Sequence, residues 1–166
     1  CHNSNTAPQL QLADSLIDKR ADSALCILEK LSIEEISIKS AKAMYALLLT
    51  EALDKNFKSH RNDSLILIAV DYYKDNSNNK LKTKAYYYLG RVYQDNKEYI
   101  KATEAYLTAL KTASPNQAPI LQIYNNLALC YESQEFYLPA IKTYKESYAT
   151  AEKMQDKYGI LHATRG

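Results

Sequence analysis

Glycine is nearly missing from this chain: three residues in 166, with no tryptophan at all. A fold of many tight β-hairpins needs glycine at its turns, so that class is disfavoured from the start. Long apolar runs are missing too, and none approaches the ~20 residues that cross a bilayer as a helix. A surplus of one charge is also lacking. Lys and Arg total 21 against 19 Asp and Glu, a net +2, which leaves no electrostatic footprint for nucleic acid. The three cysteines, Cys1, Cys26 and Cys130, cannot make an even-numbered disulfide framework. Cys26 and Cys130 sit in helical, apolar settings and read as small buried thiols.

Chemistry-bearing patterns are equally scarce. His2, His60 and His162 are far apart and none has a partner at a metal-binding helix spacing, so no metal site is expected. There is no Gly-rich phosphate loop and no Gly-x-Ser-x-Gly elbow. Glu34-Glu35 reads as helix-end solvation. Catalytic residues and cofactors are therefore expected to be none.

Tyrosine is abundant, with fifteen copies. Tyr86-x-x-Leu89-Gly90-x-x-Tyr93 places four residues on one helical face. Ala102, Ala105, Tyr106, Ala109, Leu110 and Ala113 continue the pattern on a second helix, after the polar break Asp95-Asn96-Lys97-Glu98. The small residues Gly90 and Ala102 would let the two backbones approach closely, with Tyr rings beside them. Thirty-eight residues on, the frame returns as Tyr124-x-x-Leu127-Ala128-x-x-Tyr131 and Ala140-x-x-x-Tyr144.

The rest of the chain reads as further helix pairs. Pro8 to Asp18 predicts a first helix with Leu12 and Leu16 inward. Asp22-Ser23 is expected to cap a second, carrying Ala24, Leu25, Leu28 and Leu31, and Ser32-x-x-Glu35 has the form of a capping box. Ser37 or Ser40 opens a long helix through Leu53, with Ala41, Tyr45, Leu48, Leu49 and Ala52 buried. After a polar loop with Lys58, His60 and Arg61, Asn62-Asp63-Ser64 starts a helix facing inward at Leu65, Ile68, Ala69 and Tyr72. Asp75 to Asn79 is a break, Pro119 starts a helix, and Pro139 suits a first helical turn.

The recurring Tyr, Leu, small-residue and Ala positions resemble the tetratricopeptide repeat, a helix–turn–helix unit of about 34 residues. The resemblance implies an all-α fold, an α-solenoid of stacked antiparallel helix hairpins wound as a right-handed superhelix. Each hairpin leaves an apolar flank that the next one covers. The expected organisation is a flexible tether over 1–7 and one repeat domain over 8–166. Within it lie degenerate repeats at 8–36 and 37–76, better ones at 80–116 and 118–157, and a partial helix at 158–166. Leu47 to Asn56, Asp63 to Ile66 and Ala85 to Tyr93 are similar to tetratricopeptide lipoproteins of Bacteroidetes. Cys1 followed by His-Asn-Ser-Asn resembles the mature start of a bacterial lipoprotein, with Cys1 as the lipidation site.

The resemblance implies a non-enzymatic scaffold that binds a protein or peptide segment on its concave wall. Residues beside the buried stripe would line it: Tyr87, Arg91, Gln94 and Asp95, then Gln122, Asn125, Asn126, Leu129 and Glu132. Ala43, Ala46, Thr50 and Leu53 are the matching upstream positions. Relatives that grip chaperone carboxylates use Lys, Asn and Arg. Tyr87 and Arg91 stand where Lys and Asn would be expected, so that ligand is disfavoured. The expected location is the bacterial cell envelope, lipid-anchored and facing the periplasm, with no nucleic acid bound and membrane contact through the anchor alone. The alternative is a sensory or regulatory input domain of a larger membrane-associated signalling or transcription-regulating protein.

Overall fold

The structure is a computed structural model and describes residues 6–59, 62–114 and 119–155. Cys1, His2, most of the expected tether, His60, Arg61, the Pro115–Ala118 link and the expected helix 158–166 lie outside the described residues. Among the described residues there are α-helices and one 3-10 turn, and no strand. They divide into two compact units, the boundary falling between Ser77 and Asn78, inside the predicted break.

The first unit holds α1 (Thr6–Leu16), α2 (Ala21–Leu28), a 3-10 turn (Ile33–Glu35), α3 (Lys39–Lys55) and α4 (Ser64–Tyr73). Leu10, Ala13 and Ile17 at α1 pack with Ala24, Leu25 and Leu28 of α2 and with Tyr45, Leu48 and Ala52 of α3. Leu16 packs at the margin of this cluster as expected, but Leu12 is 51% exposed and Leu10, Ala13 and Ile17 make the inward side. On α4 the buried residues are Ile66, Ala69, Val70 and Tyr73; Ala69 is buried as predicted and Leu65 packs at the core's margin, but Tyr73 rather than Tyr72 turns inward. Its sequence is apolar almost all round, so periodicity does not select a face. On α2, Cys26 is exposed rather than buried. At 100° per residue it falls away from the stripe made by Ala24, Leu25 and Leu28.

Two expected caps are also different. Asp22 lies in the first turn of α2, whose N-cap is Arg20. The Ser32 hydroxyl donates to the Glu34 carboxylate, not through a box with Glu35. Asn62 does serve the start of α4, its side chain accepting from the Ser64 N–H at 3.1 Å.

The second unit holds α5 (Asn79–Asp95), α6 (Tyr99–Thr112), α7 (Ile120–Ser133) and α8 (Tyr137–Lys153). α5 pairs with α6 and α7 with α8, and α6 packs on α7, so the hairpins stack in order. Pro139 lies in the first turn of α8, where its missing N–H is harmless. The turns repeat as well. Lys97 and Glu135 occupy the left-handed region at φ 60° and 61°. The N–H of Lys97 donates to Gln94 and that of Glu98 to Tyr93; the N–H of Glu135 donates to Glu132 and that of Phe136 to Tyr131. This pairing is the Schellman arrangement that satisfies the last carbonyls of a helix. Phe57 at φ 55° closes α3 the same way, with N–H bonds from Phe57 to Asp54 and from Lys58 to Leu53. Glycine usually takes this position, and here none does.

Candidate functional site

In the second unit the residues expected to line a wall lie on α5 and α7. Its construction starts at Gly90, where an added Cβ would overlap the Tyr106 ring. The missing side chain lets Tyr106, fully buried, lie against the α5 backbone. The Tyr106 hydroxyl then donates to Gln94 Oε1 at 2.7 Å. The same oxygen accepts from Arg91 Nη1 at 3.4 Å, and Arg91 Nη2 faces Asp95 Oδ1 at 3.7 Å. Three expected wall residues of α5 are therefore joined in one network: Arg91, Gln94 and Asp95.

Tyr87 differs from expectation. It is 8% exposed, its ring edge-on to Tyr88 at 4.9 Å and tilted against Tyr106 at 6.1 Å. Of this side chain the hydroxyl carries the polar contact, accepting from Asn126 Nδ2 at 3.4 Å. That bond ties α5 to α7. The sequence pattern missed it because a residue one step off the apolar stripe of α5 is still covered once α7 packs alongside.

On α7, Asn125 Oδ1 accepts from the buried Ser147 hydroxyl of α8 at 2.8 Å. Glu132 accepts from the Tyr144 hydroxyl at 3.3 Å. Burial, the Glu132 charge and that hydrogen bond push the Tyr144 phenol up to about 12. Gln122 is exposed, and Leu129 is 43% exposed. Cys130 is buried, as expected, and burial pushes its thiol up to about 11 although the Arg91 guanidinium pulls the other way. A thiol so placed is an inert packing group.

Ser147 and Gln134 escaped the sequence reading, as did the hydroxyl bonds of Tyr106 and Tyr144, whose rings it places in the repeat. Gln134 Nε2 donates to the Cys130 carbonyl at 2.9 Å and to Thr103 Oγ1 at 3.0 Å, joining α7 to α6. A signal for the two hydroxyl bonds was available: Gln94 and Tyr106 recur as Glu132 and Tyr144 thirty-eight residues on.

The first unit offers no equivalent wall at the expected positions. Ala43, Ala46 and Thr50 are buried and Leu53 is half-buried. α3 has α1, α2 and α4 packed around it, which leaves those positions enclosed. Among the described residues no group of three His, Cys, Asp or Glu could hold a metal, and no helix is long and apolar enough to cross a membrane.

Residues 82–153 match the family model for the tetratricopeptide repeat. No curated protein matches the chain. Among solved structures, a crystal structure of MamA protein is similar, with a TM-score of 0.57 and 22% identity, over 92% of this chain and 76% of that one. At that identity the likeness establishes fold alone, and the fold is the all-α solenoid of stacked hairpins.

Proposed function

We propose that the second unit, in which residues 82–153 match the tetratricopeptide repeat model, is a non-enzymatic docking scaffold for a segment of another protein. The segment lies along α5 and α7. The observation that carries this reading is the cross-braced wall itself. Arg91, Gln94 and Asp95 hold one another, Asn126 holds Tyr87, and Glu132 is held from α8. Side chains already immobilised lose little entropy when a partner arrives, and each costs about 0.5–1.5 kcal/mol when it is not. The partner is a protein or peptide, and the scaffold supplies position rather than chemistry.

A photo-cross-linking residue at Leu129, on the wall, and another at Leu107, exposed on α6, test the reading. Cross-linking to partner protein is expected at Leu129 and not at Leu107, and Arg91→Ala with Asn126→Ala should abolish it without loss of helicity. Equal labelling at both positions would refute the proposal.

The lipid anchor is a separate part of the proposal. Its support is Cys1 with the polar run behind it. Acyl chains on Cys1 would hold the scaffold at the cell envelope, facing the periplasm. Metabolic labelling with an alkyne fatty acid should mark the chain made in its own host and fail on Cys1→Ser. Equal labelling of both would remove the anchor from the account.

A further inference from the structure

Charge along the wall is unevenly placed, and this bears on what it accepts. Among the described residues of α5 and α7, Arg91 is the one cation in the C-terminal half of either helix, and its guanidinium is already shared between Asp95 and Gln94. Asp95 and Glu132 bring two carboxylates to the same end, so Arg91, Asp95 and Glu132 sum to −1. The turn residues Lys97 and Glu135 cancel each other, and Glu98 is paired with Lys101. Both α5 and α7 point their C-termini here, and neither has a basic residue in its last turn. The negative dipole ends therefore add to the carboxylates. Lys84 is on the same helix, but ten residues before Gln94 is about 15 Å at 1.5 Å per residue. That exceeds the ~8 Å over which charge is felt at physiological salt.

Beside this electronegative end sits Leu129, 43% exposed and one turn before Glu132. An apolar step next to a carboxylate is a two-part recognition surface. Resting on the docking function proposed above, we infer that the occupant is an internal peptide segment in which an aliphatic residue is followed closely by lysine or arginine. The aliphatic side chain lies on Leu129. The cation sits by Glu132, whose carboxylate the Tyr144 hydroxyl holds from behind. Acidic segments and free C-terminal carboxylates are disfavoured, because the Arg91 guanidinium faces Asp95 already.

The test is selection of displayed random nonapeptides on the purified full chain, read by sequencing, with circular dichroism on each variant. Enrichment of aliphatic residues one to three positions before Lys or Arg, at least fivefold over Asp or Glu in the same place, is expected. Glu132→Gln should reduce that ratio below twofold while the aliphatic preference stays, and Glu132→Lys should reverse it. Leu129→Ser should weaken the aliphatic preference and leave the basic one. Enrichment with no basic bias, or a bias that Glu132→Gln does not change, overturns this inference and leaves the docking function standing. No enrichment over bare resin overturns the docking function itself.

Discussion

The Tyr106 hydroxyl reaches Gln94 at 2.7 Å with its ring lying where a side chain at residue 90 would be. Tyr144 repeats the contact with Glu132 at 3.3 Å, beside Ala128 in place of Gly90. Helix propensity alone would favour alanine over glycine by about 1 kcal/mol. Gly90→Ala is nevertheless expected to destabilise the chain, since overpacking costs about 1–3 kcal/mol. Shrinking the obstacle should restore the ordinary preference: in a Tyr106→Leu background, Gly90→Ala becomes neutral or stabilising. Urea midpoints of the four chains measure the coupling. Additive effects would mean the ring is not what excludes a side chain at 90.

Left-handed backbone at Lys97 and Glu135 is strained for a residue with a Cβ, at about 1–2 kcal/mol each. Glycine removes the strain but adds freedom to the unfolded chain, about 0.4–1 kcal/mol. Lys97→Gly and Glu135→Gly should therefore each stabilise by roughly 0.5–1 kcal/mol. Thermal melts of the single and double variants test this, and a fall in midpoint would count against the cap geometry.

Lys55 stands between Asp18 and Glu51, and Glu51 is 2% exposed. Burial pulls the Lys55 ammonium down, and hydrogen bonds and charge from the two carboxylates more than offset it, so its pKa is raised. Lys55→Met leaves the Glu51 carboxylate buried without that ammonium. A loss of about 3 kcal/mol or more is expected, the scale for breaking a buried pair. Lys55→Met combined with Glu51→Leu should recover most of it. Chemical denaturation of both variants decides, and a loss under 1 kcal/mol in the single variant would be inconsistent with this picture.

Tyr73 and Tyr144 are both pushed up to about 12, in each case chiefly by burial. The folded chain holds these protons after the unfolded chain, at about 10, has begun to release them. Their contribution to stability is therefore complete below pH about 10 and is lost as pH rises towards about 12. Tyr144→Phe should flatten the alkaline fall in the urea midpoint between pH 9 and 11, on the order of what one such phenol contributes. An unchanged slope would place the titration elsewhere.

Where the pattern repeats, reading was accurate. Leu89, Gly90, Ala102, Tyr106, Leu127 and Ala140 are buried in the hairpins expected of them, because two copies in one register leave little choice of phase. The errors gather where a helix is apolar on several sides or stands alone. Leu12 on α1 and Tyr72 on α4 are expected inward and lie outward; within the repeat the exception is Tyr87, at the margin of the α5 stripe, which is covered rather than open. A single amphipathic helix names its apolar stripe but not which neighbours will cover the margins.

Residue order by itself determined the helix pairs of this protein, their turns and the recurrence that identifies the repeat. All of that is local: 3.6-residue periodicity, small residues at close approaches and polar breaks within a few positions of one another. Tertiary packing alone decided that Arg91 would be held by Gln94 and Asp95 under Tyr106, that Asn126 would reach Tyr87, and that α3 would be enclosed. Those outcomes depend on which side chains a second and third helix bring within 3–4 Å, and hydrogen bonds at that range fall off too steeply for spacing along one chain to foretell them.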